Sequence, residues 1–281
     1  LLVNHDVRMA EAGEFTKRAF MNGRIDLTQA EAIIDIIEAK TEDSLSLAVS
    51  QLDGTVSSFV KDVREQLIAM IAHLEVTIDY PEEDIEDVTS QEVREQLEPI
   101  LKAMDELLST ANTGRLIRDG ITTVIVGRPN AGKSSLMNAL LRENRAIVTD
   151  IPGTTRDSIE EYMTVEGISL RLIDTAGIRD TQDTVEALGV ERARDYINKA
   201  DIVLCVIDGS TPLTSEEIEI LTSVSGLNTI VLLNKSDVAQ IVTDENIKEH
   251  GNFTAIERIS AKEGEGSAVL SKWVQELVYG G

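Results

Sequence analysis

The segment from Gly127 to Ser134 constrains the fold of this chain more than any other. It reads Gly-Arg-Pro-Asn-Ala-Gly-Lys-Ser, the spacing of a phosphate-binding loop. The loop follows the β-branched run Thr122–Val126 and precedes a helical pattern, the context that this motif requires. Glycines let its backbone curl around phosphates, and N–H groups at a helix N-terminus face the negative charge. We therefore predict that Lys133 contacts the β- and γ-phosphates of a nucleotide and that the Ser134 hydroxyl binds Mg²⁺.

The chain from residue 116 to residue 281 alternates short apolar runs with helical patterns. Near-continuous apolar runs are typical of strands covered on both faces, and their alternation with helices indicates a mostly parallel sheet. The predicted strands are Thr122–Val126, Leu170–Ile173, Ile202–Ile207, Thr229–Leu233 and Ile256–Ile259. The predicted helices are Ser135–Arg142, Glu186–Asn198, Ser215–Ser223 and Ser267–Val278.

Residues 1–115 have a helical pattern throughout. Thr28 and Glu31 have the spacing of a capping box, and Thr89 and Glu92 repeat it before a later helix. Apolar residues recur at helical spacing after both positions, so we expect these stripes to form the core of a helical bundle. The predicted fold is thus an α/β P-loop domain over 116–281, with a mostly parallel sheet and flanking helices, preceded by an all-α helical-bundle segment over 1–115.

Two further motifs follow predicted strands of the α/β domain. Asp174-Thr-Ala-Gly177 comes after Leu170–Ile173, where Asp174 would hold Mg²⁺ through a water and the Gly177 N–H would meet the γ-phosphate. Asn234-Lys-Ser-Asp237 comes after Thr229–Leu233. The carboxylate of Asp237 can accept hydrogen bonds from N1–H and N2–H₂ of guanine, which adenine lacks, so the site should select GTP over ATP.

Residues around this base-reading motif complete the expected guanine pocket. The aliphatic stem of Lys235 can lie on the base. Ser260-Ala-Lys262 follows the last predicted strand, and the Ala261 N–H could reach guanine O6.

The stretch Thr149–Asp157 lies where a switch threonine is needed to bind Mg²⁺ beside the γ-phosphate. We favour Thr155, with Thr154 as the alternative. Ras-type GTPases place a water-orienting glutamine directly after the Asp-x-x-Gly motif, but here that residue is Ile178. Side chains that could replace the glutamine, between which spacing alone does not decide, are Arg179, Asp180, Gln182, Asp183 and Glu186.

Composition limits the other classes of function. The net charge of −24 argues against non-specific nucleic-acid binding, which needs a basic footprint. The single cysteine, Cys205, lies in an apolar run and is expected to be a buried thiol in a reducing cytoplasm. No apolar run reaches the length of a membrane span. The chain starts at Leu1 rather than at a methionine, which is expected of an excised fragment.

Taken together, these strings resemble the MnmE (TrmE) family of bacterial tRNA-modification GTPases. The resemblance rests on Gly13–Phe20, Asp26–Ala32, the phosphate loop with its Asn130, Ala146–Asp157 and Asp174–Gly177. It covers nearly the whole chain. It implies that the family's N-terminal folate-binding domain and its C-terminal helices are absent here, so folate would be bound only by the full-length protein.

The resemblance also implies a GTPase activated by K⁺ and by transient pairing of two G domains. K⁺ would take ligands from the Asn130 side chain and from backbone carbonyls of the loop Thr149–Ile151, and would stabilise charge in the transition state. The family's catalytic glutamate corresponds to Glu186, which would place the attacking water. In the full protein, GTP hydrolysis would be coupled to modification of the wobble uridine of tRNA, together with an FAD-dependent MnmG-type partner.

The complete expected site follows from the motifs and the resemblance together. The predicted catalytic residues are Glu186, Lys133 and Thr155. The Mg²⁺ ligands are Ser134, Thr155 and, through a water, Asp174, and the K⁺ ligands are Asn130, Thr149 and Ile151. The nucleotide-contacting residues are Asn130, Ala131, Gly132, Lys133, Ser134, Ser135, Thr149, Gly153, Thr154, Thr155, Asp174, Gly177, Asn234, Lys235, Asp237, Ser260, Ala261 and Lys262.

Two rival functions remain at the level of the sequence. One is a GTP-gated assembly module with little intrinsic turnover, which Ile178 in place of glutamine favours. The other is a different Era-like GTPase acting in ribosome assembly. The helical segment before the G domain argues against the second rival, as does the lack of a basic RNA-binding tail.

Overall fold

The structure, a computed structural model, describes residues 8–79, 89–144, 160–174 and 194–280. The chain divides into two compact units, Leu1–Arg118 and Asp119–Gly281. The boundary that the sequence predicts, between residues 115 and 116, falls inside the long helix Ser90–Asp119. The change of pattern along the chain therefore lies within the last turns of that helix.

The described part of the first unit is helical. Its second and third helices are held together by side-chain amides, because Gln29 Nε2 donates to Leu52 O at 2.8 Å and Gln51 Nε2 donates to Thr28 O at 3.2 Å. The helices are α1 (Glu14–Met21), α2 (Leu27–Glu38), α3 (Glu42–Leu52), α4 (Thr55–Asp79) and α5 (Ser90–Asp119).

The start of α2 differs from the prediction. The N-cap is Asp26, whose carboxylate accepts from the Gln29 N–H at 2.9 Å, while Gln29 Oε1 accepts from the Asp26 N–H at 3.1 Å. The predicted pair of Thr28 and Glu31 was wrong because an aspartate two residues earlier forms the same reciprocal bonds. At α5 the predicted cap is confirmed, since the Glu92 N–H donates to Thr89 Oγ1 at 3.2 Å and Glu92 Oε2 accepts from the Thr89 N–H at 2.8 Å.

The apolar stripes of the helical unit are only partly buried among the described residues. Ala32 is fully buried on α2, but Ile34 is 54% exposed and Ile37 is 77% exposed. Ile71 on α4 and Leu108 on α5 are also more than half exposed. The expected bundle core is therefore present in part among the described residues, since Ala48 on α3 and Ile100 on α5 are also buried. None of the described helices is long and apolar enough to cross a membrane.

The second unit is built on a sheet of six strands in its described residues, in the order β2-β3-β1-β4-β5-β6. β3, β1, β4, β5 and β6 pair in parallel, and β2 pairs with β3 in the antiparallel sense. The strands are β1 (Ile121–Val126), β2 (Glu160–Val165), β3 (Ile168–Asp174), β4 (Ile202–Asp208), β5 (Thr229–Asn234) and β6 (Ala255–Arg258). The mostly parallel sheet that the sequence predicts is confirmed.

Helices follow the strands of the second unit. Residues 194–199 are also helical, which is the described part of the predicted helix Glu186–Asn198. The short helix before β6 was not predicted, because its five residues are fewer than a periodic pattern needs. The remaining helices are α6 (Lys133–Asn144), α7 (Ser215–Val224), α8 (Asp244–Lys248) and α9 (Gly266–Tyr279).

β2 is the strand that the sequence analysis missed. It joins β3 through Glu166 and Gly167, both at positive φ, 50° and 79°. Two consecutive residues in the left-handed region form the tight hairpin turn whose twist matches antiparallel strands. The Glu-Gly pair before Ile168 was the available signal. It was overlooked because Glu160-Glu-Tyr-Met-Thr-Val lacks the continuous apolar run of the central strands.

The core of the second unit lies on the central strands. Every residue of β4 and β5 is buried, and Cys205 on β4 stands in register between Val126 and Val231. Cover on both faces of the sheet explains why the interiors of these strands are apolar. The expected buried thiol is confirmed, because Cys205 is 0% exposed.

We expect Cys205 to be inert toward thiol reagents in the folded protein. Burial raises the pKa of its thiol to about 12, and the Glu217 carboxylate adds to the shift. Since the thiolate is the reactive form, the folded protein at pH 8 should resist Ellman's reagent, and a single equivalent should react after denaturation. The raised pKa favours the native state up to the ordinary thiol range, and this advantage is lost as the pH rises toward 12. Rapid labelling at full native structure would contradict this burial.

Candidate functional site

The segments singled out in the sequence meet at the carboxyl edge of the sheet. The phosphate loop follows β1, Asp174 ends β3, and Asn234 ends β5. The register pairs Asp174 with Ile125 and Asn234 with Asp208. The carboxyl end of β3 therefore lies next to that of β1, and the carboxyl end of β5 lies next to that of β4. In open α/β sheets, ligands bind at this edge, next to the strand from which the chain turns in both directions. Here that strand is β1, which lies between β3 and β4.

The phosphate loop has the backbone shape that an anion site needs. Asn130 has φ of 62° and Gly132 has φ of 107°, and such left-handed residues turn successive N–H groups toward one point. Lys133, only 6% exposed, donates from Nζ to Gly127 O at 2.8 Å and to Arg128 O at 2.9 Å. Ser134 is exposed at the start of α6, as is its neighbour Ser135. The loop therefore combines a hydrogen-bonded ammonium group with two exposed serines.

Asn234 ties the phosphate loop to the loops that follow β5 and β6. Its Nδ2 donates to Ala131 O at 2.8 Å, and its Oδ1 accepts from the Ala261 N–H at 2.9 Å. The side chain is 3% exposed, so both bonds lie in a protected environment. The Ala261 N–H that the sequence analysis assigns to guanine O6 is thus engaged with Asn234 in this structure.

We expect Gly132→Ala to disrupt this connection. A Cβ at Gly132 would overlap Asn234 Nδ2, and φ of 107° is rarely adopted by other residues. The matched control is Gly226→Ala, where φ is also positive at 80° but nothing lies within 4 Å of the added Cβ. In thermal unfolding, Gly132→Ala should lower the free energy of unfolding by about 2 kcal/mol or more, and the control should lower it by about 1 kcal/mol. Equal losses would show that the overlap at Asn234 is relieved at no cost.

The carboxylate of Asp237 is oriented by a serine from the loop after β6. Ser260 Oγ donates to Asp237 Oδ1 at 3.0 Å, and Ser260 is 1% exposed. Glu265 Oε2 in turn accepts from the Ser260 N–H at 2.8 Å and from Ser236 Oγ at 3.1 Å. Glu265 was missed in the sequence because it lies outside the motif. Its contacts join the two loops between which a base would lie, and Lys262 is exposed on the same loop.

Lys235 is held by a carboxylate that the sequence analysis also missed. It has φ of 66°, and its Nζ donates to Asp208 Oδ2 at 2.6 Å. Burial alone would raise the pKa of Asp208, but hydrogen bonds from Lys235 and Ser210 outweigh it, so the pKa is lowered. Asp208 therefore stays ionised and fixes the lysine stem at the edge of the sheet. Its position at the end of β4, before Gly209, was the signal available in the sequence.

Several predicted site residues lie outside the described residues. These are Thr149, Ile151, Gly153, Thr154, Thr155, Gly177 and Glu186. Asp174 is placed by its backbone at the end of β3. Within the described ranges, no group of three His, Cys, Asp or Glu side chains is arranged to hold a metal ion. The described part of the site thus consists of the phosphate loop and the base-reading loops.

Comparison with known proteins connects both units to one family. The family model "MnmE helical domain" matches residues 27–281. The tRNA modification GTPase MnmE of Clostridioides difficile is 50% identical over 281 residues, 100% of this chain and 61% of that protein. Its namesake in Heliobacterium modesticaldum is 53% identical over 274 residues, 97% of this chain and 59% of that protein. The chain thus spans about three fifths of the length of these curated relatives. Among solved structures, Era of Aquifex aeolicus bound to GDP.AlF4- covers 56% of this chain at 28% identity, with a TM-score of 0.43.

Proposed function

Because the chain belongs to the MnmE family, we propose that it binds GTP at the carboxyl edge of its sheet and hydrolyses it to GDP and phosphate. The observation that carries this proposal is the bridge made by Asn234, whose side chain bonds to Ala131 O and to the Ala261 N–H. It connects the loop proposed to bind phosphate with the loops proposed to read the base, at one edge of the sheet. Phosphate binding and base reading would then act on a single nucleotide.

Different residues of the described site would contact the phosphates and the base of GTP. Lys133 would exchange its contacts with Gly127 O and Arg128 O for the β- and γ-phosphates, because an ammonium group prefers a phosphate anion to neutral carbonyls. Asp237, oriented by Ser260, would accept from guanine N1–H and N2–H₂. Lys235 would cover one face of the base with its stem.

Magnesium fits the donor set at this edge. Ser134 is exposed in the first turn of α6, and Asp174 ends the strand paired with β1. Oxygen donors of these types are those that Mg²⁺ prefers, with Thr155 or Thr154 as the proposed switch ligand. When bound, Mg²⁺ supplies neutralisation of charge on the phosphate oxygens.

We propose in addition that K⁺ and Glu186 contribute to the hydrolysis step. Asn130 is exposed on the phosphate loop, where its side-chain oxygen could bind K⁺ together with backbone carbonyls of Thr149 and Ile151. K⁺ supplies positive charge of the kind that an arginine finger provides elsewhere. Glu186 would orient the attacking water, and two G domains would pair during turnover.

The test is phosphate release from GTP in KCl and in NaCl at several protein concentrations. We expect a higher rate in KCl that rises with protein concentration and is lost in Glu186→Ala. Glu219→Ala, an exposed position on α7, is the control and should keep the response to KCl. Equal slow rates in both salts, unchanged by Glu186→Ala, would favour a GTP-gated assembly module over an enzyme.

The role of the whole protein extends the proposal further. The curated relatives are named tRNA modification GTPases, and the chain covers about three fifths of their length. We propose that the full protein acts in the cytoplasm on the wobble uridine of tRNA, as a homodimer with an MnmG-type partner. Folate would be bound by the part of such a protein outside this chain. With a net charge of −24, this chain would reach tRNA through its partner rather than by non-specific binding.

A further inference from the structure

A cluster of four charged side chains links the phosphate loop to the base-reading loop. We call it the Arg128 cluster, and it consists of Arg128, Asp208, Glu217 and Lys235. Arg128 follows the first glycine of the phosphate loop, and its guanidinium points away from that loop. Its Nε donates to Glu217 Oε1 at 2.8 Å, and its Nη2 donates to Thr211 Oγ1 at 2.9 Å and to Asp208 Oδ2 at 3.4 Å.

The two carboxylate oxygens of Glu217 accept hydrogen bonds from different residues. Oε1 faces Arg128, while Oε2 accepts from the Thr214 N–H at 3.0 Å and from Thr214 Oγ1 at 2.9 Å. The second set is the capping box at the start of α7. Glu217 is 1% exposed, so its charge is stabilised by these partners rather than by water. The helix α7 thereby anchors the guanidinium of the phosphate loop.

Asp208 connects Arg128 to the base-reading loop. Its Oδ2 accepts from Lys235 Nζ at 2.6 Å and lies 3.4 Å from the Arg128 guanidinium, while Oδ1 accepts from Ser210 Oγ at 2.6 Å. The Asp208 side chain is only 5% exposed. Two carboxylates and two cations thus alternate along the cluster, and each buried charge has a partner of opposite sign.

The backbone of Arg128 carries the connection back to the phosphate-binding lysine. Arg128 O accepts from Lys133 Nζ at 2.9 Å, beside Gly127 O at 2.8 Å. A guanidinium bonded to three acceptors restricts the rotamers of the Arg128 side chain, and this restrains the backbone that carries Arg128 O. The carbonyl that holds Lys133 and the carboxylate that holds Lys235 therefore depend on the same side chain.

We propose that the Arg128 cluster couples the phosphate loop to the guanine-reading loop, and that Glu217 is a positioning residue for nucleotide binding although it belongs to no nucleotide-binding motif. This inference rests on the proposed binding of guanine nucleotide at this site. Loss of the Glu217 charge frees Arg128. A free Arg128 would restrain less well the backbone carbonyls that accept from Lys133 Nζ. It would also weaken the ion pair between Asp208 and Lys235.

The first test compares Glu217→Gln with Glu219→Gln. Glutamine at an N3 position still completes a capping box, so Glu217→Gln removes the charge while keeping the start of α7. Glu219 is exposed on the same helix and serves as the matched control. We expect the dissociation rate of mant-GDP to rise about tenfold in Glu217→Gln, since loss of a buried charge partner acts mainly on dissociation. A rate equal to that of Glu219→Gln would overturn the proposal.

The second test is a double-mutant cycle between Glu217→Gln and Lys235→Met, read on the same dissociation rate. The two side chains are joined through Arg128 and Asp208. If the cluster couples the loops, the double variant should dissociate at least about threefold more slowly than the product of the single effects requires. If the dissociation rate of the double variant equals the product of the two single effects, the coupling is overturned. A general loss of stability would not make the double variant dissociate more slowly than this product.

A third test uses two variants of Arg128 and keeps the proposal testable if Glu217→Gln does not fold. Arg128→Lys keeps the positive charge but cannot contact Glu217, Thr211 and Asp208 at once, while Arg128→Gln removes the charge. We expect mant-GDP to dissociate faster from both, with the larger rise in Arg128→Gln. Unchanged rates in both variants would overturn the proposal. Failure of the unaltered protein to bind mant-GDP would instead refute the proposed function.

Discussion

Replacing Asp237 by asparagine should transfer the preference of the site from GTP to XTP. The carboxylate accepts from two guanine donors, N1–H and N2–H₂, whereas an asparagine amide would set its own NH₂ against the N2 amine. Xanthine carries a carbonyl at that position, which the amide can satisfy. Because Ser260 Oγ at 3.0 Å holds one carboxylate oxygen, the replaced side chain should keep its orientation. We expect GTP affinity to fall by at least about a hundredfold, since a donor set against a donor in a base-binding site discriminates strongly.

This change of specificity is measured as the affinity of the purified variant for GTP and XTP by competition against mant-GDP or mant-XDP. Asp105→Asn, at an exposed position on α5, makes the same chemical change away from the site and should leave both affinities as they were. A parallel loss of GTP and XTP binding would mean that Asp237 supports the loop rather than reading the base. Retained GTP preference would remove Asp237 from the guanine-reading role altogether.

Lys133→Met should abolish the proposed hydrolysis while leaving the sheet folded. Methionine keeps much of the aliphatic stem and deletes the ammonium group that would balance negative charge on the transferred phosphate. Preorganised charges of this kind contribute about a hundredfold to a thousandfold in rate, so we expect at least a hundredfold fall. The variant also leaves Gly127 O and Arg128 O without this donor, which should lower the unfolding free energy by about 1–3 kcal/mol.

Phosphate release and thermal unfolding, measured on the same preparation, separate these two effects. Lys102→Met on α5 is the control, because that lysine side chain is 79% exposed and should contribute to neither quantity. Hydrolysis that persists within tenfold of the original rate would contradict the assignment of Lys133 to the phosphates. A fall in rate matched by complete loss of cooperative unfolding would assign Lys133 a structural role instead.

Much of the α/β unit follows from short-range pattern. The near-continuous apolar runs of β1, β4 and β5 predict buried parallel strands, because such runs are typical of strands covered on both faces. The phosphate loop and the Asn234–Asp237 motif are recognisable since their chemistry lies in neighbouring residues. Their meeting at one edge follows from the parallel direction of the strands. The sequence therefore determined the five parallel strands, the edge at which the motifs meet and the motif residues of the candidate GTP site.

Tertiary structure alone decided which distant groups contact each other. Asn234 and Ala131 are 103 positions apart and Arg128 and Glu217 are 89 apart, so no local spacing could indicate their bonds. The same reason explains why some predicted core positions of the helical unit are exposed. A helical stripe predicts that one face is apolar, but whether Ile37 is buried depends on which element lies opposite, and it is 77% exposed here. Periodicity specifies the face of a helix, whereas burial and side-chain partners are properties of the assembled fold.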